Sequence, residues 1–343
     1  MKIENFELKI EKPQNLDNEN YVYLAGEEIK GKINIYNREK TRIVRLSLRT
    51  VGSVYTGWQY ANAEYESKEN ILDIYNDLTG NLSNYCDETM ELNYIYNDLT
   101  GNLSNYCDET MELNCGEYNF EFSVKIPMNA ISSYYEEGYG NVKYSIVATL
   151  DIVEDCGESE IVSESEFLVR SFLSLDSPHF LNPAYSTEEI VTDRVCLCFG
   201  NSKEKRKITI KSPSLGLLPG ETSNLILIAE QTARKPNKNS QIKWVKLSIC
   251  QQVDFVACRK DTPNTWDKRS VTRAIQNYNN SNINCQILSE SEQQIQFQIP
   301  KNLPPTSAKE NDLINFSYFF RIEIEQNLDI ILPIVIGSFR TIL

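Results

Sequence analysis

Between Tyr118 and Ile152 the chain alternates apolar and polar residues, and this pattern most restricts what it can become. Tyr118, Phe120, Phe122, Val124 and Ile126 are separated by Asn119, Glu121, Ser123 and Lys125. A period of two marks a strand with one buried face. Pro127 ends the run, because proline has no N–H to give to a sheet. A connection carrying Gly138 and Gly140 follows, and then Val142, Tyr144, Ile146, Ala148, Leu150 and Ile152 alternate again. The spacing predicts two long strands, joined by about a dozen residues, at the centre of one sheet of a β-sandwich.

The same period recurs along the chain. Phe6, Leu8 and Ile10 form a first strand. Gly26-Glu27 reads as a turn, after which Ile29, Gly31, Ile33 and Ile35 share one face. Val44, Leu46 and Leu48 continue the pattern, and Trp58 and Tyr60 fall on a further strand. Residues 173–204 hold prolines and few alternations, which predicts an interdomain connection. Alternation resumes at Ile208 and Ile210 and runs through Val245, Leu247 and Ile249, Ile295 to Ile299, and Phe316 to Ile324. No segment sustains a 3.6-residue apolar period over three turns. The expectation is an all-β chain of two tandem immunoglobulin-like sandwiches, with domains at 1–172 and 205–343. The two halves echo each other, for YLAGEEIKGKINI near residue 23 resembles LLPGETSNLILIA near residue 217.

Charge and cysteines narrow the function classes. The net charge is −14 over 343 residues, which disfavours binding to nucleic acid or to anionic lipid at large. The N-terminus MKIENFELKIEKP lacks the apolar stretch of a secretory signal. No apolar run approaches the ~20 residues that span a bilayer. The nine cysteines are therefore expected as free thiols in a reducing, cytoplasmic compartment. The sequons at Asn81, Asn102, Asn279 and Asn315 then have no glycosylation role.

One feature belongs to no ordinary sandwich. IYNDLTGNLSNYCDETMELN occupies 74–93 and recurs without change at 95–114, separated only by Tyr94. Solenoid repeats diverge and come in greater number, so this reads as a recent duplication of a short segment. A sandwich needs one copy. The other is expected to loop out or form an exposed hairpin, since surface insertions cost little. The second copy runs straight into the strand at Tyr118, so it is the one expected to hold register with the sheet. A doubled binding loop is the functional alternative.

Taken together, these segments resemble arrestin-domain-containing proteins of the α-arrestin type. The N-terminal matches are FELKI, then YLAGEEIKGKI with Gly26, Glu27 and Gly31, then LSLRTVG with Trp58. GEYNFEFSVKIP follows with Tyr118, Phe120, Phe122 and Pro127, and GNVKYSIVA with Tyr144. The C-terminal matches are LPGE with Gly220 and Glu221, IPKNLPPTS with Pro304, and LPIVIGS with Pro333 and Gly337. The resemblance implies two arrestin-type sandwiches and no catalysis or cofactor. It implies a cytosolic adaptor that selects membrane proteins for endocytosis, endosomal sorting or ubiquitination. The implied partners are cytoplasmic segments of membrane proteins and trafficking or ubiquitination machinery, with peripheral association at the plasma membrane or endosomes. The family's Pro-Pro-x-Tyr ligase signal is not matched, because Pro304-Pro305 is followed by Thr306 and Ser307; direct WW-domain binding is not expected. A structural subunit of a constitutive sorting complex, like the arrestin-like retromer subunits, is the alternative role. An extracellular adhesion sandwich would need export and disulfides.

The candidate chemical groups are few. His179 is the sole histidine, so a Ser-His-Asp or Cys-His group would require it. It lies in SPHFLNPAY, where a hydrogen-bonding role in the connection suffices. Cys196 and Cys198 are two apart and would share a strand face, but zinc needs two further ligands; packing as small apolar groups explains them. Asn182, Pro183 and Tyr185 spell N-P-x-Y, which is either a signal for phosphotyrosine-binding-type adaptors or an Asn-Pro turn. Lys203, Lys205 and Arg206 belong to KEKRK, which reads as a solvated loop or as a contact for anionic lipid or a phosphorylated tail. The acidic runs Tyr134 to Glu137, Glu154 to Glu160 and Glu164 to Glu166 read as solvated loops and strand edges.

Overall fold

A computed structural model describes residues 2–13, 22–82, 86–97, 103–154, 157–196, 200–231, 245–278, 291–308, 313–324 and 328–341. Among the described residues it is built almost entirely of strands, with two helices of four residues each, α1 (Thr79–Leu82) and α2 (Pro178–Leu181). The chain divides into two compact units, one of Met1–Trp58 with Glu66–Arg170, the other of Ser171–Leu343 with Gln59–Tyr65.

The first unit carries β1 (Ile3–Ile10), β2 (Val22–Leu24), β3 (Glu28–Asn37), and all but the adjoining ends of β4 (Thr41–Tyr60) and β5 (Ala63–Asp77). After them come β6 (Cys86–Asn97), β7 (Leu103–Leu113), β8 (Gly116–Lys125), β9 (Tyr134–Glu136), β10 (Gly140–Glu154) and β11 (Gly157–Arg170). One sheet runs β1-β3-β8, and the other includes β4-β10-β11-β2. The alternation at Phe120, Phe122 and Val124 and at Val142 to Ile152 is read out as expected, with those side chains buried. Their sheet membership is not as expected. β8 pairs with β3 and β10 with β4, so the two strands face each other across the sandwich instead of lying side by side. The Pro-containing connection after Ile126 crosses from one layer to the other, which periodicity alone cannot distinguish from a hairpin. Trp58 and Tyr60 belong to the same 20-residue strand as Leu46, not to a further one. Ile43 is fully buried and Val44 only partly so, because the pairing slips between Arg45–Asp151 and Ile43–Ile152 and leaves Val44 as the bulged residue.

The duplication is divided between its copies. In the first copy, the Leu78 N–H donates to the Leu46 carbonyl, and the Thr79 hydroxyl accepts from the Leu46 N–H. In the second copy, Met111 and Leu113 are buried and pair with Ile43 and Thr41 of β4. Buried Asn37 clamps this end, donating from Nδ2 to the carbonyls of Leu113 and Asn114 at 2.9 Å each. Between these anchors, β6 and β7 pair with each other from Cys86–Leu113 to Asn97–Leu103. The second copy does hold register with the sheet, and the surplus forms a hairpin to which both copies contribute.

The second unit carries β12 (Ala184–Cys196), β13 (Gly200–Ser212), β14 (Gly216–Leu217), β15 (Thr222–Gln231), β16 (Val245–Arg259), β17 (Trp266–Tyr278), β18 (Ser291–Gln298), β19 (Ile314–Ile324) and β20 (Leu328–Ile336). One sheet runs β12-β13-β15-β18; in the other, β14-β20-β19-β16 continue to β17. Ile208, Ile210, Leu225, Leu227, Ile295 and Phe297 from the first sheet are buried, as are Ile249, Phe255, Phe320 and Ile334 from the second. Phe297 meets Phe320 edge to face at 4.7 Å. Within 173–204, read from sequence as a connection, Ala184–Cys196 forms a strand paired along its whole length with β13. As the outer strand of its sheet it needs no clean apolar face, which is why alternation did not reveal it. The basic KEKRK segment likewise lies in β13 rather than in a loop. Of the acidic run after Val153, Glu154 ends β10 and Glu158 and Glu160 lie in the following strand, with Glu154 paired to Gly157.

Candidate partner-binding surfaces

Each unit contains the same latch. In the first, Gly26 has φ +92°, and in the second Gly220 has φ +82°, a backbone setting that favours glycine. The Glu27 N–H donates to the Leu24 carbonyl, and Glu221 does the same to Leu218. The Gly26 N–H donates to the Ile126 carbonyl and the Ile126 N–H to the Glu27 carbonyl; Gly220, Ile299 and Glu221 repeat the exchange. Each glutamate folds back so that Oε2 accepts the N–H of the leucine three residues earlier, at 2.8 Å in both units. The side chain thus satisfies a turn N–H with charge-assisted strength. The following residues are Pro127 and Pro300, which end the clamped strands.

The other residues that carried the family resemblance also serve packing. Gly31 is buried in β3 opposite Phe122. Trp58 is half-buried, 6.5 Å from the Tyr139 ring. Tyr118 donates to the Asn114 carbonyl at 3.0 Å. Tyr144 is buried, donates to the Ile131 carbonyl at 2.8 Å and lies 5.8 Å from the Phe167 ring; burial pushes its hydroxyl well above the usual tyrosine range. The Pro304 carbonyl accepts from Tyr318 at 2.6 Å, and Pro305 is buried. Pro333 pairs with Phe319 in β20, and Gly337 is buried against Leu175.

The short motifs are placed apart from one another. Asn182 follows α2, and its carbonyl accepts the Leu215 N–H at 2.8 Å. Pro183 is exposed, and Tyr185 pairs with Lys211 in β12 with its side chain 74% exposed. The N-P-x-Y segment is therefore built into the start of a strand. Lys203, Lys205 and Arg206 pair through their backbones with Asp193, Val191 and Ile190; their side chains lie outside the described residues. His179 is exposed in α2, its ring 5.7 Å from that of Phe180. Cys198 and the Cys196 side chain also lie outside the described residues, as do the sequon asparagines 102 and 279. Among the described residues no group of three or more His, Cys, Asp or Glu could hold a metal ion, and Cys115, Cys250 and Cys258 are free thiols.

Sequence reasoning missed two surfaces. The first is β17, a 13-residue strand that pairs with β16 on one side only among the described residues. None of its residues is buried, and Trp266 is 57% exposed. Lys268 reaches Asp254 of β16 at 2.6 Å, and Arg269 reaches Asp267 of β17 itself at 3.1 Å. The second is a cavity of about 230 Å³ beside Glu27, bordered also by Glu11, Lys12, Tyr23, Glu28 and Lys30. The low apolar content of β17 was the one sequence signal for an edge; nothing local announced the cavity.

Comparison with known proteins supplies the family. Residues 14–176 match the arrestin (or S-antigen) N-terminal domain, and residues 202–341 match the arrestin (or S-antigen) C-terminal domain. "Arrestin domain-containing protein 17" of Caenorhabditis elegans is 24% identical over 344 residues, covering 98% of this chain and 71% of that protein. With both domains matched in order, and with a sandwich and a Gly-Glu latch in each, this chain belongs to the arrestin-domain-containing proteins.

Proposed function

We propose that this protein is a non-enzymatic cytosolic adaptor that binds cytoplasmic segments of membrane proteins and directs them to endocytosis, endosomal sorting or ubiquitination. Family membership supports the adaptor class. The observation that carries the binding mode is the outer edge of β17, which among the described residues pairs with β16 on one side only. An edge strand presents a row of unpaired N–H and C=O groups, and an extended segment can add to it as a further strand. Main-chain pairing of this kind supplies affinity with little demand on sequence. That suits an adaptor that must accept several tails.

Proximity labelling in cells tests the role, and two single variants test the surface. Adjacent residues in a strand aim their N–H groups to opposite sides. Of Val271→Pro and Thr272→Pro, one therefore removes a donor from the outer edge while sparing the β16 pairing, and thermal melts identify it. The expected result is a labelled set rich in membrane proteins and trafficking components, depleted for the edge-blocked variant that melts like the parent. A set without such proteins overturns the adaptor role. An unchanged set for the stable variant overturns the β17 mode.

A further inference from the structure

The two latches differ in one respect. In the second unit Glu221 holds an arginine. Arg340 places Nη1 3.3 Å from Oε1 and Nη2 3.4 Å from Oε2 of Glu221, and its Nη2 also donates to the Gly216 carbonyl at 2.7 Å. Both side chains are largely enclosed, 23% and 28% exposed. The glutamate therefore does two things at once, accepting the Leu218 N–H and seating a guanidinium.

The first unit has the same glutamate in the same turn, but its chain supplies a different residue. β14 lies parallel to β20 with Leu217 beside Ile336, and β2 lies parallel to β11 with Tyr23 beside Val169. Arg340 comes four residues after Ile336. Four residues after Val169 the chain has Leu173, which carries no charge. Beside Glu27 there is instead the cavity of about 230 Å³. Tyr23 and Glu27, the counterparts of Leu217 and Glu221, both border it. Glu11 and Glu28 add acid to its rim and Lys12 and Lys30 add base, so the lining carries three carboxylates against two ammonium groups; Lys30 is turned to Glu28 at 3.6 Å.

We propose that the Glu27 cavity takes an arginine side chain presented by a partner polypeptide, in the manner in which Glu221 holds Arg340. The guanidinium's planar fork matches a carboxylate that has one oxygen committed to a backbone N–H and the other open to a second donor. A lysine ammonium, as a compact point charge, gains less from that geometry. The cavity would read an arginine in the partner, whereas β17 pairs with main chain irrespective of side chain. The proposal takes from the adaptor reading only that the partner is a polypeptide.

The test uses the full chain and no partner. Acetyl-Gly-Arg-Gly-amide is titrated into isotope-labelled protein, and the amide resonances of Leu24, Gly26 and Lys30 are followed by NMR. Saturable shifts are expected with a dissociation constant of about 1 mM, the range of a single small-molecule contact. Acetyl-Gly-Lys-Gly-amide should bind at least about tenfold more weakly, the worth of one lost charge-assisted hydrogen bond. Glu27→Gln should abolish the arginine response, because its amide oxygen still accepts the Leu24 N–H but offers no charge. Equal binding of the two peptides, an unchanged response in Glu27→Gln, or no saturable shift at tens of millimolar overturns the proposal. The peptide comparison needs no variant, so a misfolded Glu27→Gln would not rescue it. Failure here leaves the adaptor reading standing, and a failed search for membrane partners leaves this titration untouched.

Discussion

Excising residues 86–106 leaves a chain in which Tyr85 is joined to Cys107 and the repeat IYNDLTGNLSNYCDETMELN occurs once, unbroken. Every link from the two copies to β4 survives the cut. Leu78 and Thr79 still bond to Leu46. Met111 and Leu113 still pair with Ile43 and Thr41, and Asn37 still clamps the end. Two effects remain. The segment between Thr79 and Met111 falls from 31 residues to 10. With a loop cost of (3/2)RT ln n, that shortening stabilises the fold by about 1 kcal/mol. Against this stands the loss of the β6–β7 pairing, a two-stranded hairpin of the kind that is marginal by itself. The expected net change is within about 1 kcal/mol of zero, a melting shift of no more than about 4 °C for a unit of this size. Urea denaturation followed by tryptophan fluorescence measures it, with Trp58 in the first unit as a reporter. Leu113→Ala is the positive control: it empties a fully buried position and should cost about 2–5 kcal/mol. Leu92→Ala changes the same residue of the first copy, which pairs with Asp108 in the hairpin and not with β4, and should cost less than Leu113→Ala. A loss beyond about 3 kcal/mol on excision, or equal costs for the two alanines, would refute the division of labour between the copies.

Removing the arginine from the second latch with Arg340→Ala should cost about 1–2 kcal/mol in urea midpoint measurements, since a partly enclosed charge pair and a bond to the Gly216 carbonyl are both lost. Gly220→Ala should cost about 1–2 kcal/mol from the left-handed backbone alone, because the new Cβ would meet only Lys301 Cγ at 3.4 Å. Gly26→Ala should cost more, as its Cβ would fall 2.1 Å from Met128 Sδ and force that side chain to move. Stability should also fall in alkali. Burial pushes the Tyr278 hydroxyl up to about 12, and the bond it donates to the Gln298 carbonyl is lost on ionisation. In the unfolded chain a tyrosine ionises near pH 10. The contribution is thus complete below about pH 10 and lost as pH rises toward 12. Tyr278→Phe should flatten that decline in denaturation curves taken from pH 9 to 12.

The strands of the core were legible because their physics is local. Phe120, Phe122 and Val124 must alternate with polar residues if one face is buried, whatever their neighbours. The turns at Gly26 and Gly220 were legible for a similar reason, since a left-handed residue favours glycine. What depends on distant partners was not legible. Nothing between Tyr118 and Ile152 says that the two strands belong to opposite layers; that follows from β3 and β4 claiming them. Ala184–Cys196 was passed over because a strand at a sheet border can be polar on both sides. The tyrosine of N-P-x-Y could not be known to sit in a strand without seeing β13 beside it. The cavity at Glu27 became meaningful only through comparison with Glu221, a relation between residues far apart in the chain.

The parallel pairing of β2 with β11 has a consequence for synthesis. Val22 finds its partner only when Leu168 has been made, 146 residues later. At roughly 5–20 residues per second that is a wait of about 7–30 s. Through that interval the nascent chain presents its first apolar strands with their sandwich still open, within reach of ribosome-associated chaperones. A slow codon stretch placed before residue 168 would lengthen that exposure, and one placed just beyond the point where β11 clears the exit tunnel would let the first unit shut before the second begins to compete for it.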